Sequence, residues 1–239
     1  MFHKAASLAQ YCFYYILIFI DSKTILFADD MTLYLTGPSP EHLIHNANHE
    51  LDILYHWCLC NRLTINTDKT HFMLFTTKNK INLPQLHINR KPISKTDEIK
   101  FLGIFYDDCL TFKRHIHNLT LKISRHIALL YQLKDLTTPE VLKTVFYAHI
   151  YPLLNYCNPI WCITYPTYLI PLKLQLKKIV RIITNTNYLA HTDPIFQQTR
   201  ILKLDDVTKL AIATYMYENK NHLHTLLPSH QYNILCYKP

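Results

Sequence analysis

Ile25-Leu26-Phe27-Ala28-Asp29-Asp30-Met31-Thr32-Leu33-Tyr34-Leu35 decides how this 239-residue chain is read. Two adjacent carboxylates interrupt an apolar run of β-branched and aromatic residues, which suit a pleated, half-buried surface. The pattern predicts two short strands joined at Ala28-Asp29, a tight hairpin over residues 23–35. A hairpin tip holds its turn side chains together on rigid strands. Paired carboxylates there repel one another unless a cation sits beside them. Hard oxygen ligands of this kind suit Mg²⁺, which takes one or two carboxylates and completes its shell with substrate phosphates. A solvated Asp-Asp turn would satisfy the same four letters, so the weight falls on what surrounds them.

Downstream of the hairpin, Ser39-Pro40 signals a helix start with Pro in the first turn. Leu43, Ala47, Leu51, Leu54 and Cys58 keep helical spacing to about Asn61. Residues 70–77 read as a strand, Leu86–Ile93 as a hairpin around Asn89-Arg90, and 99–106 as a single strand. From Phe112 the periodicity turns helical. Ile116, Leu119, Ile123, Ile127 and Leu130 form one stripe running to about Asp135. Thr138-Pro139-Glu140 opens a helix carrying Val141, Val145 and His149. Leu172, Leu176, Ile179 and Ile183 mark a helix over about 168–185, and residues 207–227 a last one. The expected fold class is α+β: a hairpin, short antiparallel strands and a helix, then an all-helical part. The composition shift divides the chain into 1–22, 23–110 and 111–239.

Phe27-Ala28-Asp29-Asp30 resembles the catalytic Phe/Tyr-X-Asp-Asp hairpin of reverse transcriptases, in the form used by non-LTR retrotransposons of the LINE or Jockey type. Leu63-Thr64-Ile65-Asn66-Thr67-Asp68-Lys69-Thr70, followed by Phe72-Met73-Leu74-Phe75, resembles that family's next motif, a Leu-x-x-Asn-x-x-Lys-Thr turn entering a strand. Phe101-Leu102-Gly103, with Asp107, Leu110 and Phe112, resembles the primer grip. Tyr151-Pro152-Leu153-Leu154-Asn155-Tyr156 and Trp161 resemble the helical thumb and connection that follow. The motifs stand in family order at family spacing and cover about residues 23–225.

The resemblance implies a partial polymerase palm followed by a helical thumb. It implies RNA-directed DNA polymerase activity on an RNA template and a DNA primer, with Mg²⁺ as cofactor. Asp29 and Asp30 would be catalytic metal ligands. Lys69 would approach the incoming triphosphate, where a lysine acts as an electrostatic clamp. Phe101, Leu102 and Gly103 would form the primer grip. Gly103 permits close backbone approach to a strand, or equally a bulge.

The family's first metal-binding Asp lies tens of residues upstream of the hairpin, on another palm strand. Asp21 is the sole acidic residue before Asp29. Eight extended residues at ~3.3 Å each would separate the two by ~26 Å, whereas two-metal catalysis needs ligands around ions ~4 Å apart. The expectation is therefore a palm-and-thumb fragment inactive on its own. The alternative is a nucleic-acid-binding or scaffolding remnant without catalysis.

Composition narrows the classes. Only Gly37 and Gly103 occur, so no Gly-rich phosphate loop is possible. A net charge of +8 favours polyanionic partners. Lys173, Lys177 and Arg181 recur every four residues, a row suited to phosphates and equally to a solvated face. Lys113, Arg114, Lys122 and Arg125 make a less regular basic group. Seven dispersed cysteines lack zinc-ribbon spacing and read as buried free thiols in an intracellular, reducing compartment. The fifteen histidines fall in no ligand pattern and read as scattered surface residues. Tyr11–Ile20 is apolar but too short to span a bilayer. The small residues Ala5, Ala6 and Ala9 precede it rather than follow, against a cleaved signal. No membrane partner is expected. Residues 1–22 are read as an apolar remnant of the upstream palm.

Overall fold

The computed structural model describes residues 23–27, 30–75 and 84–222. The chain divides into two compact units at Ile99/Lys100. Both mix helices with short strands, as the α+β expectation requires.

In the first unit β1 (Lys23–Phe27) and β2 (Asp30–Tyr34) pair antiparallel, in register from Lys23 with Tyr34 to Phe27 with Asp30. The hairpin is where the alternating sequence places it. Ala28 and Asp29 lie outside the described residues, as does the apolar segment 1–22. Helix α1 (Pro40–Cys60) starts as expected: the Ser39 Oγ accepts from the His42 amide at 3.2 Å and Pro40 occupies the first turn. Its face Ile44, Leu51, Leu54 and Cys58 is buried together with Leu86, Ile88 and Ile93. Met31 and Leu33 of β2, and Ile65 and Phe72 beyond the helix, pack on the same cluster.

The strand expected over 70–77 is shorter. Only β3 (His71–Phe72) is extended, because its partner β6 (Ser94–Lys95) offers two residues, paired in parallel. Residues 76 and 77 lie outside the described part. The hairpin around Asn89-Arg90 forms as β4 (His87–Ile88) and β5 (Lys91–Pro92). Both turn residues have positive φ, 48° and 63°, as a two-residue type I′ connection demands.

The second unit opens on a correction. Residues 99–106 are not one strand but a hairpin, β7 (Glu98–Phe101) and β8 (Ile104–Asp107). Leu102 at φ 45° and Gly103 at φ 86° reverse the chain. A single apolar run concealed the turn, since Leu is an uncommon choice for a left-handed position. The Asp107 carboxylate then accepts from the Thr111 amide at 2.8 Å and the Phe112 amide at 2.7 Å. This clamp holds the loop in which Leu110 and Phe112 both take φ 53°, and it launches α2 (Lys113–Leu133).

All five residues of the predicted α2 stripe are buried. Next come α3 (Pro139–Val145), a π-helical turn (Phe146–Ile150) and α4 (Tyr151–Asn155). The buried face here is Leu142, Phe146, Ile150 and Leu154, not Val141, Val145 and His149. Apolar residues on both faces hid the phase. The π turn sits ahead of Pro152, which has no amide to donate to an α-helical ladder; the Tyr151 amide reaches the Phe146 carbonyl. After α5 (Asn158–Trp161), α6 (Pro166–Ile183) buries Leu169, Leu172, Leu176, Ile179 and Ile183. An unanticipated α7 (Thr192–Thr199) follows. The last helix, α8 (Leu204–Glu218), begins three residues before the expected Val207 and gives way to a 3₁₀ turn at Lys220–His222. Residues 223–227 of that expectation lie outside the described part. Trp161, Leu172, Leu130 and Ile150 anchor a core that also takes in Ile104 and Phe112.

Burial of the five described cysteines varies, with Cys157 and Cys162 half-buried. Only Cys58 is buried, while Cys60 and Cys109 are exposed, which corrects the expectation of buried thiols. No described helix is long and apolar enough to cross a membrane.

Candidate polymerase site and nucleic-acid surface

Asp30 opens β2 opposite Phe27 and its side chain is exposed. Among the described residues it enters no ion pair. The alternation that exposes Asp30 turns Met31 and Leu33 onto the α1 cluster, so burial on one side fixes the carboxylate's strand. Asp29, the other expected ligand, lies outside the described residues. A free, hard, anionic oxygen donor at the end of a paired strand fits an Mg²⁺ ligand.

Lys69 is exposed in the turn between α1 and β3. The turn is built by Asn66. Its carbonyl and its Oδ1 both accept from the Lys69 amide at 3.2 Å, and its carbonyl also accepts from Thr70 Oγ1 at 2.8 Å. An Asn side chain closing on a backbone amide is a local turn device. It explains why Asn precedes Lys by three, a role the sequence reading left without a physical account. Ile65 and Phe72 flank this turn and pack on the cluster that also holds Met31 and Leu33. Asp30 and Lys69 thus stand on elements sharing one small core.

Phe101, Leu102 and Gly103 lie in the second unit, at the β7–β8 turn. A Cβ placed on Gly103 would come 3.7 Å from Cε1 of Tyr156, an ordinary contact; the φ of 86° is what favours glycine. The Tyr156 hydroxyl donates to the Leu102 carbonyl at 2.6 Å. Sequence reasoning placed Tyr156 in the helical part and saw no link to the turn.

The basic row on α6 is largely engaged within the fold. Lys173 Nζ pairs with Asp205 at 2.8 Å. Arg181 donates from Nε and Nη2 to the Ala190 carbonyl at 3.0 and 2.9 Å, and its guanidinium lies 5.7 Å from the Tyr188 ring centre. Lys177 is exposed and, among the described residues, makes no such bond. The exposed face of α2 differs. That helix has no acidic residue in its 21, and it carries Lys113, Arg114, Lys122 and Arg125. Lys122 and Arg125 are exposed and make no ion pair among the described residues. Lys113 lies 5.9 Å from the Tyr168 ring centre and Arg114 5.0 Å from that of Phe105.

Histidines are less scattered than expected. His115 is half-buried against Trp161, ring centres 5.7 Å apart. Desolvation, and then the charge of Lys122, push its pKa down to about 4. His126 and His149 stack at 5.7 Å. No group of three or more metal-ligating side chains occurs among the described residues.

Residues 2–106 match the family described as reverse transcriptase (RNA-dependent DNA polymerase). The chain is 24% identical over 204 residues to the RNA-directed DNA polymerase from mobile element jockey of Drosophila funebris, covering 84% of this chain and 22% of that protein. It is 23% identical over 158 residues to the probable RNA-directed DNA polymerase from transposon X-element of Drosophila melanogaster, covering 64% of this chain and 17% of that protein. The chain thus spans less than a quarter of these relatives' length. No solved structure matches.

Proposed function

We propose that this chain, similar to the reverse transcriptases of non-LTR retrotransposons, supplies the carboxylate hairpin, turn lysine and primer-grip turn of an RNA-directed DNA polymerase centre acting on an RNA template and a DNA primer. The observation that carries this reading is the Phe27–Asp30 register inside the segment matched to the family.

Asp29 and Asp30 would hold Mg²⁺. When bound, the metal neutralises phosphate charge and activates the attacking hydroxyl. The chain's own residues do the rest by placement. Lys69 brings a cation on a turn fixed by Asn66, suited to a triphosphate's negative oxygens. The Leu102–Gly103 turn offers backbone to a primer strand. The acid-free face of α2, with Lys122 and Arg125, offers cations to a nucleic-acid backbone, and Lys177 on α6 adds to it.

Two carboxylates leave most of an octahedral Mg²⁺ shell to water unless substrate phosphates complete it. Metal affinity should therefore be weak for the chain alone and rise with a nucleotide triphosphate. Mn²⁺, a paramagnetic substitute, checks this by NMR. With a primed RNA template and a deoxynucleoside triphosphate, amide signals of Phe27 and Asp30 should broaden at lower Mn²⁺ than without them. An Asp29→Asn/Asp30→Asn variant should lose the effect. Broadening elsewhere, or unchanged by the double substitution, contradicts the metal assignment.

A further inference from the structure

The β7–β8 turn is an unfavourable piece of backbone. Leu102, a bulky residue, sits at φ 45°, and Gly103 follows at 86°. Neighbouring structure must hold such a turn. A side chain reaches it from far along the chain: the Tyr156 hydroxyl donates to the Leu102 carbonyl at 2.6 Å, across 54 residues.

Tyr156 is itself braced. Its amide donates to the Pro152 carbonyl at 3.0 Å. Its carbonyl accepts from Trp161 Nε1 at 2.9 Å, and Trp161 is wholly buried. The chain then bends at Cys157, φ 49°, into α5. The backbone of Tyr156 is thus pinned to the helical core, while its ring stays half exposed and lies along the face that Gly103 leaves open. A ring this exposed gains little from burial, so its fixed contribution is the directed hydrogen bond.

We propose that Tyr156 is the positioning residue of the primer-grip turn, a strut that carries the rigidity of the helical core to the Leu102–Gly103 backbone where a primer strand would lie. The inference rests on the primer-grip reading of residues 101–103. Its chemistry is specific: the phenol binds the Leu102 carbonyl, so the peptide between Leu102 and Gly103 is held in one orientation toward the strand.

Tyr156→Phe in the full chain tests the strut, because it keeps the ring and removes only the donor. Two readouts separate the strut from the reading beneath it. The first is amide hydrogen exchange over residues 101–105. The second is photocross-linking from a 4-thiothymidine at the primer's 3′ end, annealed to an RNA template. The expected result is an unchanged melting temperature, exchange quickened about fivefold in that segment, the effect of one lost hydrogen bond, and a severalfold drop in cross-links to residues 101–103. Total nucleic-acid affinity should be unchanged. Unaltered exchange in Tyr156→Phe overturns the strut, whatever the primer does. Unaltered cross-linking, when the unsubstituted chain cross-links well, overturns its positioning role. Quickened exchange with no cross-link from the unsubstituted chain keeps the strut and overturns the primer-grip reading instead.

Discussion

His115 shows how one side chain on an otherwise cationic helix is made neutral by its surroundings. It packs on Trp161, and burial is the largest cause of its pKa of about 4, against an ordinary 6.5. Above pH 6.5 folded and unfolded chains are both neutral at this site, and its contribution to stability is fully present. As pH falls, unfolded chains take up a proton that the folded site refuses, so stability declines through the window from 6.5 to about 4. Thermal unfolding across that window should show a falling midpoint, less steep in His115→Phe; identical slopes in both proteins would remove His115 as the cause. At this scale the sequence made residue identities visible but not their mechanisms. Asp30, Lys69 and Gly103 were singled out by motif. Asn66, Asp107 and Tyr156 do the local shaping, through bonds that no periodicity announces. Asn66 and Asp107 act within five residues and are readable as turn devices in hindsight. Tyr156 acts over 54 residues and is not.

Elements were legible where one face alone is apolar. The α2 stripe emerged residue for residue, because that helix has a single buried side; the four residues of the α6 stripe are buried too, but Leu169, Val180 and Ile182 join them. The 139–155 stretch failed for the opposite reason. Val141 and Leu142 are equally apolar, so spacing alone could not choose between them, and the π turn shifts the phase partway. Structure assigns Leu142 to the core at 2% exposed and Val141 to the surface at 46%. Leu142→Ala should therefore cost ~2–5 kcal/mol, and Val141→Ala stay within about 0.5 kcal/mol. Denaturant unfolding of the pair decides it; equal losses would mean the face is wrongly assigned. The short strands were harder. β3 and β6 pair over two residues, below any usable alternation, and the β7–β8 turn is written in Leu-Gly rather than in the Asn-Gly or Asp-Gly that mark such hairpins.

For the molecule as a whole, two compact units each carry part of the candidate machinery: Asp30 and Lys69 in the first, the Leu102–Gly103 turn and the basic helices in the second. The resemblance to reverse transcriptases was readable because several motifs keep their order, which no single four-residue match could supply. What spacing did not show is how far the basic row is engaged within the fold. The regular Lys173/Lys177/Arg181 spacing drew attention, yet Lys173 and Arg181 are held by Asp205 and the Ala190 carbonyl. The irregular, acid-free α2 retains exposed cations at Lys122 and Arg125. Spacing reports which residues share a face, not which cations the rest of the fold already engages. The proposed engagement of a primed RNA template is tested most directly by fluorescence anisotropy of that duplex across a salt series. The predicted log–log slope is about −0.7 to −0.9 per phosphate contact. Lys122→Glu/Arg125→Glu should weaken binding and flatten the slope by about two contacts' worth, more than Lys177→Glu/Lys178→Glu does, Lys178 being the exposed neighbour of Lys177 on α6. No binding at low salt, a salt-independent affinity, or a loss confined to the Lys177/Lys178 variant would contradict it.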